Sequence, residues 1–330
     1  MFTALDTGIS KVKNVAQFII GDGSLKKLGD ELLPLRSDER SSVLFFVDHF
    51  FSNAPEFIGR LPVEKHDAMF FIDTTAEPTT EQVDDICTKI RDEFENFPVC
   101  IVGIGGGSTM DIAKAVSNLM TNEGRAEDYQ GWDLVKKPGI YKIAVPTIAG
   151  TGAEATRTCV MTNRSNGLKL GMNSDHTVYD QVILDPSLLA TVPRDQYFYT
   201  GMDAYIHCIE ALSGNYRNAI GDALSLQVIG LCREIFLDDD MMRDEAREKL
   251  MVASYLGGCA IATSYVGVVH PLSAGLSVVL GTHHCVANCS VMRSMKKYYP
   301  TYFDEFWKMA DNQKVDVPIG VCNGLSDEQF

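Results

Sequence analysis

Residues 99–108, VCIVGIGGGS, constrain the fold more than any other stretch of the chain. A continuously apolar run enters three glycines and leaves into 110–120, where Ile112, Ala115, Val116, Leu119 and Met120 recur at helical spacing. The run has the pattern of a strand buried on both faces, and the segment after it that of a helix with one buried face. Gly105, Gly106 and Gly107 carry no Cβ to hold a ligand off the backbone. Behind them, with Ser108, the start of the helix offers unpaired N–H groups at the positive end of its dipole. A glycine turn between strand and helix is often only a turn. Placed at the mouth of a helix in this way, it is a diphosphate cradle. The spacing is not GxGxxG, and no GxxxxGK[ST] motif of a nucleoside triphosphatase is present.

Residues 43–47 (VLFFV), 68–72 (AMFFI) and 141–145 (YKIAV) are further strand candidates, and 80–94 carries Val83, Ile86, Ile90 and Phe94 at helical spacing. Such alternation predicts a doubly wound α/β unit with a Rossmann-like nucleotide site. Asp48 ends the first of these strands. A carboxylate there can accept hydrogen bonds from an adenosine ribose and repels a 2′-phosphate, which favours NAD over NADP, although a plain loop aspartate fits the position equally well. The loop 146–154 (PTIAGTGAE) follows a strand and offers the hydroxyls of Thr147 and Thr151 to a ligand.

Beyond Pro193 the strands cease, and 199–213, 217–236, 241–265 and 303–310 have helical periodicity. The expected architecture is α/β followed by all-α: a nucleotide-binding domain over 1–192, a helical domain over 193–330, and a cleft between them. Asp203 and His207 lie four apart, on one helical face, within reach of a single ion. Alone, such a pair is more often a helix-surface hydrogen bond. His270 and His284 are fourteen residues apart, roughly 21 Å along a continuous helix, so they converge only if the chain folds back. Gly275 and Gly281 are candidate breaks, and Pro271 is expected to disturb the turn at His270. Three histidines and an aspartate suit Fe²⁺ or Zn²⁺, with Co²⁺ also tolerated; buried structural histidines are the alternative. Cys285 and Cys289 have the pattern of buried thiols, and His49 and His176 have no evident partner.

Composition limits the partners. The 330 residues carry 29 basic and 44 acidic side chains, a formal net charge of −15, which repels phosphate backbones and anionic lipid. Neither nucleic acid nor a membrane surface is expected, and no run reaches the ~18 apolar residues of a membrane span. Nine cysteines without a CxxC pair, and no signal-peptide pattern at the start, point to reduced thiols in a cytoplasmic protein. Ser326 to Gln329 has capping-box spacing with no helix after it, so the true C-terminus is expected further on.

With these residues in view, the chain resembles the iron-containing, or group III, alcohol dehydrogenases from about Ile19 to Asn288. Gly105, Gly106, Gly107 and Ser108 with Asp111 and Lys114 look like the family's GGGSxxDxxK loop, and 146–154 is similar to its PTTAGTGSE loop. Asp203, His207 and Glu210 match a GxDAxxHxxE helix. His270 and His284 match the remaining ligands by their spacing and the following Val286, Ala287 and Asn288. The resemblance implies a dehydroquinate synthase-like fold, one divalent metal per chain on Asp203, His207, His270 and His284, NAD, a small alcohol substrate and a homodimer. It also places Lys169 near the nicotinamide ribose.

Two departures stand out. The family's relay histidine four residues after the third ligand is Ala274 here, and the usual Pro-His-Gly is His283-His284-Cys285, which leaves His283 or water to carry protons. Whole-sequence likeness points to the branch oxidising the C8 hydroxyl of 3-deoxy-D-manno-octulosonate. The alternatives are an oxygen-using oxidase, a non-dehydrogenase enzyme resembling dehydroquinate synthase, and a non-catalytic nucleotide-binding protein.

Overall fold

The computed structural model describes residues 9, 11–38 and 40–326. Its first part alternates strand and helix: β1 (Gln17–Ile20), α1 (Leu28–Leu32), β2 (Val43–Asp48), α2 (Pro55–Ile58), β3 (Ala68–Ile72), α3 (Thr80–Glu93), β4 (Cys100–Gly105) and α4 (Gly107–Leu119). Next come β5 (Gly131–Trp132), β6 (Lys142–Pro146), β7 (Thr158–Asn163), β8 (Leu168–Asn173) and β9 (Gln181–Leu184). From residue 194 on the chain is helical: α5 (Arg194–Ser213), α6 (Ala219–Phe236), α7 (Asp244–Ser264), α8 (Val269–Leu280), α9 (His284–Val291) and α10 (Pro300–Gln313).

Six strands form one parallel sheet in the order β1-β9-β6-β4-β2-β3. Along β2, Leu44 and Phe46 enter the core that also holds Ile112 and Val116 of α4, while Val43, Phe45 and Val47 enter a second core with Leu25 and Leu28. Both faces are covered, which is why these strands are continuously apolar. After β2 the chain moves to one side of the sheet, and after β4 to the other. The C-terminal ends of these two neighbours therefore form the switch-point crevice where ligands bind in open α/β sheets.

The strand candidates of the sequence recur within a residue of their expected ends. Unforeseen are β1, β9 and the small sheet β5-β8-β7. β7 alternates buried with half-buried positions and β8 is mostly half-buried or exposed, so neither carries a run of apolar residues to mark it.

The chain does fold back between His270 and His284, at one of the two expected breaks. Gly275 lies inside α8, and only Gly281, with φ +65°, ends a helix there. Pro271 disturbs nothing: it stands in the first turn of α8, where an amide has no intrahelical acceptor. The capping-box residues 327–329 lie outside the described part. Among the described residues, no single helix is long and apolar enough to cross a membrane.

Candidate metal centre and cofactor cleft

α5 presents Asp203 and His207 one turn apart and buried. The helix is held close to the loop after β6, because a Cβ on Gly150 would come within 1.6 Å of the Thr200 carbonyl oxygen. α8 brings His270 and α9 brings His284. One ligand atom from each of Asp203, His270 and His284 falls within 4.8 Å of the others. His270 Nε2 is 3.3 Å and His284 Nε2 4.0 Å from Asp203 Oδ1. His207, the fourth expected ligand, lies just outside this trio. Its ring stacks on His270 with centroids 4.4 Å apart, and its Nε2 is 3.9 Å from Asp203 Oδ1.

A carboxylate from the same helix sets the orientation of His270. The Glu210 side chain accepts from His270 Nδ1–H and, at 2.5 Å, from the backbone N–H of Val269. With Nδ1 so engaged, Nε2 is left to face Asp203, the usual outer support of a ligating imidazole. Asn288 is packed among the same atoms, its Nδ2 2.6 Å from Asp203 Oδ1 and 3.1 Å from His284 Nε2.

The electrostatics suit a cation. Burial alone would raise the Asp203 carboxyl, but His207, His270 and His284 outweigh it and hold it well below the ordinary carboxylate range. Burial pushes His207 down to about 4 and His284 down to about 3, so both are neutral imidazoles at pH 7, as ligation requires. At His270 burial is outweighed by Glu210 and Asp203, which raise it. The Nδ1 atoms of His207 and His284 are buried without a partner. A mixed nitrogen and oxygen set aimed at one point fits a divalent ion.

A cavity of about 760 Å³ extends from Asp48 past Gly106, Gly107 and Ser108 to Asp203, His207, His270 and His284. Gly106 and Gly107 open α4 with no side chain in the way. Thr151, Asp111, Lys169 and the exposed His283 also line the cavity. Burial pushes the Asp111 carboxyl up to about 6, while its Oδ2 accepts from the Val160 N–H.

Two of the expected cofactor residues do not reach the cavity. Gly105 is the packed end of β4, where a Cβ would come within 2.6 Å of Thr109 Oγ1. Thr147 is buried, and its N–H donates to the Gly105 carbonyl at 3.0 Å, tying the two loops together. Lys169 lines the cavity, its ammonium paired with Glu77 at 3.1 Å.

Glu77, which pairs with Lys169, is not among the residues the sequence singled out. It also accepts the backbone N–H of His284 at 2.8 Å, linking the α/β part to the ligand helix. No local pattern could have revealed a bond across 207 residues.

Residues 16–186 match the iron-containing alcohol dehydrogenase family, and 197–316 match the C-terminal region of the Fe-containing alcohol dehydrogenase family. The chain belongs to the iron-containing alcohol dehydrogenase family. These are oxidoreductases that act on CH–OH groups with NAD and iron or another divalent metal. Among its relatives, the NAD-dependent methanol dehydrogenase of Bacillus methanolicus is 30% identical over 273 residues, 82% of this chain and 71% of that protein. The sulfoacetaldehyde reductase of Bilophila wadsworthia is 35% identical over 217 residues, 64% of this chain. The match spans only 56% of that relative's length. A crystal structure of a 1,3-propanediol oxidoreductase superposes with a TM-score of 0.77 at 26% identity, covering 96% of this chain and 81% of the other. Membership in this family agrees with an α/β part followed by a helical part.

Proposed function

We propose that this chain interconverts an alcohol and its carbonyl compound with NAD, around one divalent ion held by Asp203, His207, His270 and His284. The observation that carries the reading is the convergence of Asp203, His270 and His284 within 4.8 Å, in the same cavity as the glycine turn. In this reading the chain divides at 192/193, with the nucleotide on the α/β side and the ion on the helical side.

When bound, the ion acidifies an alcohol hydroxyl as a Lewis acid, and NAD accepts the hydride. The chain supplies position. Glu210 holds the His270 ring with Nε2 toward Asp203. Gly106, Gly107 and Ser108 offer backbone N–H groups to a diphosphate at the start of α4. Asp48 stands at the end of β2 for a ribose, and Thr151 and Asp111 line the path between. Where the chain has Ala274, His283 is the imidazole on the cavity wall that passes the proton to solvent.

The sugar-acid substrate receives no support from the relatives named above, whose names point to methanol, 1,3-propanediol and sulfoacetaldehyde. The reading is tested by elemental analysis of protein purified without chelator, wild type beside His284→Ala, followed by an alcohol panel with NAD. About one metal per wild-type chain, a large loss in the variant and accumulating NADH are expected. Peroxide in place of NADH would identify an oxidase. NADH that never accumulates despite turnover would identify a synthase-like enzyme, and NAD binding without metal would leave only a nucleotide-binding protein.

A further inference from the structure

We infer that Trp132 and Tyr265 form an aromatic wall that makes this enzyme select alcohols with an apolar tail; the inference rests on the alcohol dehydrogenase reading above. Both side chains line the cavity that holds Asp203, His270 and His284. Trp132 comes from β5 and Tyr265 from the end of α7, and their rings meet edge to face at 5.0 Å. Tyr216 supports Tyr265 from its other side at 4.7 Å.

The backbone is strained where this contact is made. Among the described residues, non-glycine residues with positive φ are Asp133, Tyr265 and Lys314; the first follows Trp132 and the second is the other member of the pair. Tyr265 has φ 58° and ψ 178°, a conformation that glycine alone adopts without strain. A bulky residue kept there against that cost is held for what its ring does. Trp132, about half exposed, is held through its backbone and its neighbour. Its strand pairs with β8, the N–H of Asp133 donates to the Asn173 carbonyl at 2.7 Å, and the Asp133 carboxylate is bound by Arg157.

The chemistry of the wall defines the substrate class. Beside the two rings, Ile261, Ala262 and Val266 supply only apolar surface. An alkyl or aryl tail is desolvated against these aromatic faces. Small hydroxylated substrates leave the wall unused.

The test compares octan-1-ol with 1,3-propanediol on the metal- and NAD-loaded enzyme, for wild type, Trp132→Ala and Tyr265→Gly. The expected wild-type ratio of kcat/KM favours octanol by at least tenfold, and each variant should lose most of that ratio. Tyr265→Gly should retain or raise Tm, because glycine relieves the backbone, so the loss would not reflect unfolding. Trp132 also gives a readout without turnover. The chain has 2 tryptophans, and the other, Trp307, packs on Phe303 and Phe306 in α10. Octanol should therefore change the emission of wild type and not that of Trp132→Phe. Turnover that prefers 1,3-propanediol, or variants that keep the wild-type ratio, overturns the wall while leaving the dehydrogenase reading intact. An octanol-dependent change at Trp132 without turnover of any alcohol supports the wall and overturns the dehydrogenase reading. If neither turnover nor an emission change is seen, both fall.

Discussion

Glu210 shows how one side chain can govern a site it does not enter. Its carboxylate receives His270 Nδ1–H and the Val269 N–H, so the first turn of α8 and the ring it carries are fixed together. Replacing it by glutamine keeps the shape and removes the charge that favours a cation. Glu210→Gln is expected to weaken metal binding by about 10- to 100-fold, the usual cost of losing such a support. Competition with a chelator of known affinity measures this, and an unchanged metal Kd would remove Glu210 from the site. Asn288 is less transparent from sequence. Its position after His284 was visible, but not that its amide would sit among three candidate ligands, because that depends on how α9 meets α5.

At the scale of elements, the β4–α4 turn and the entry to β2 carry separate loads. Gly106 has φ −88°, which any residue adopts, and an added Cβ would be 3.4 Å from Ile148, an ordinary contact. Gly106→Ala should therefore fold normally yet narrow the diphosphate cradle by a methyl group. We expect NAD affinity to fall tenfold or more with Tm nearly unchanged, read by calorimetric titration and thermal unfolding; equal NAD affinity would move the diphosphate elsewhere. The entry to β2 is held by Asp67, whose side chain has no exposed surface. It accepts from the Val43 N–H at 2.8 Å, the Glu64 N–H at 2.7 Å and Arg36 at 2.8 and 2.6 Å. Burial would raise this carboxyl, but Arg36 and the two amides outweigh it and hold it below its ordinary 3.8. A depressed carboxyl stabilises the fold fully above its unfolded value, and the contribution is lost as pH falls through the folded one. Asp67→Asn should thus cost about 2 kcal/mol at pH 7, the scale of a charged hydrogen-bond group, and progressively less below about pH 4. Denaturant titrations at several pH values give both numbers, and a constant difference across that range would contradict this account.

For the whole molecule, the candidate site is assembled from residues distant in sequence. Asp203, His270 and His284 lie on three helices, and the backbone of His284 is tied to Glu77 on the α/β side. A ligand that binds only this arrangement stabilises it, by about 2.7 kcal/mol when present at 100 times its Kd. Chelation is therefore expected to lower Tm by a few degrees in wild type and not at all in His284→Ala; equal shifts in both would mean the chelator acts elsewhere. The same distances explain what could be seen in advance. The apolar runs of β2, β3, β4 and β6, the glycine turn and the i,i+4 pair Asp203 and His207 are local patterns, and local patterns survive in a one-dimensional string. The half-polar strands β7 and β8 do not, because their alternation is weak and their partner is each other. Thr147 was legible as a residue type in the right loop, yet it is turned into the packing, and that Lys169 of β8 pairs with Glu77 could not be read in advance. By itself, then, the sequence determined the doubly wound α/β plan, the helical second half and the identity of the groups able to hold an ion. Tertiary structure alone decided that α8 and α9 reverse at Gly281, that Glu210 and Glu77 support the site from behind, and that Trp132 meets Tyr265 over the cavity. Local periodicity follows from backbone geometry within a few residues, whereas convergence across tens to hundreds of residues exists only once the chain has packed.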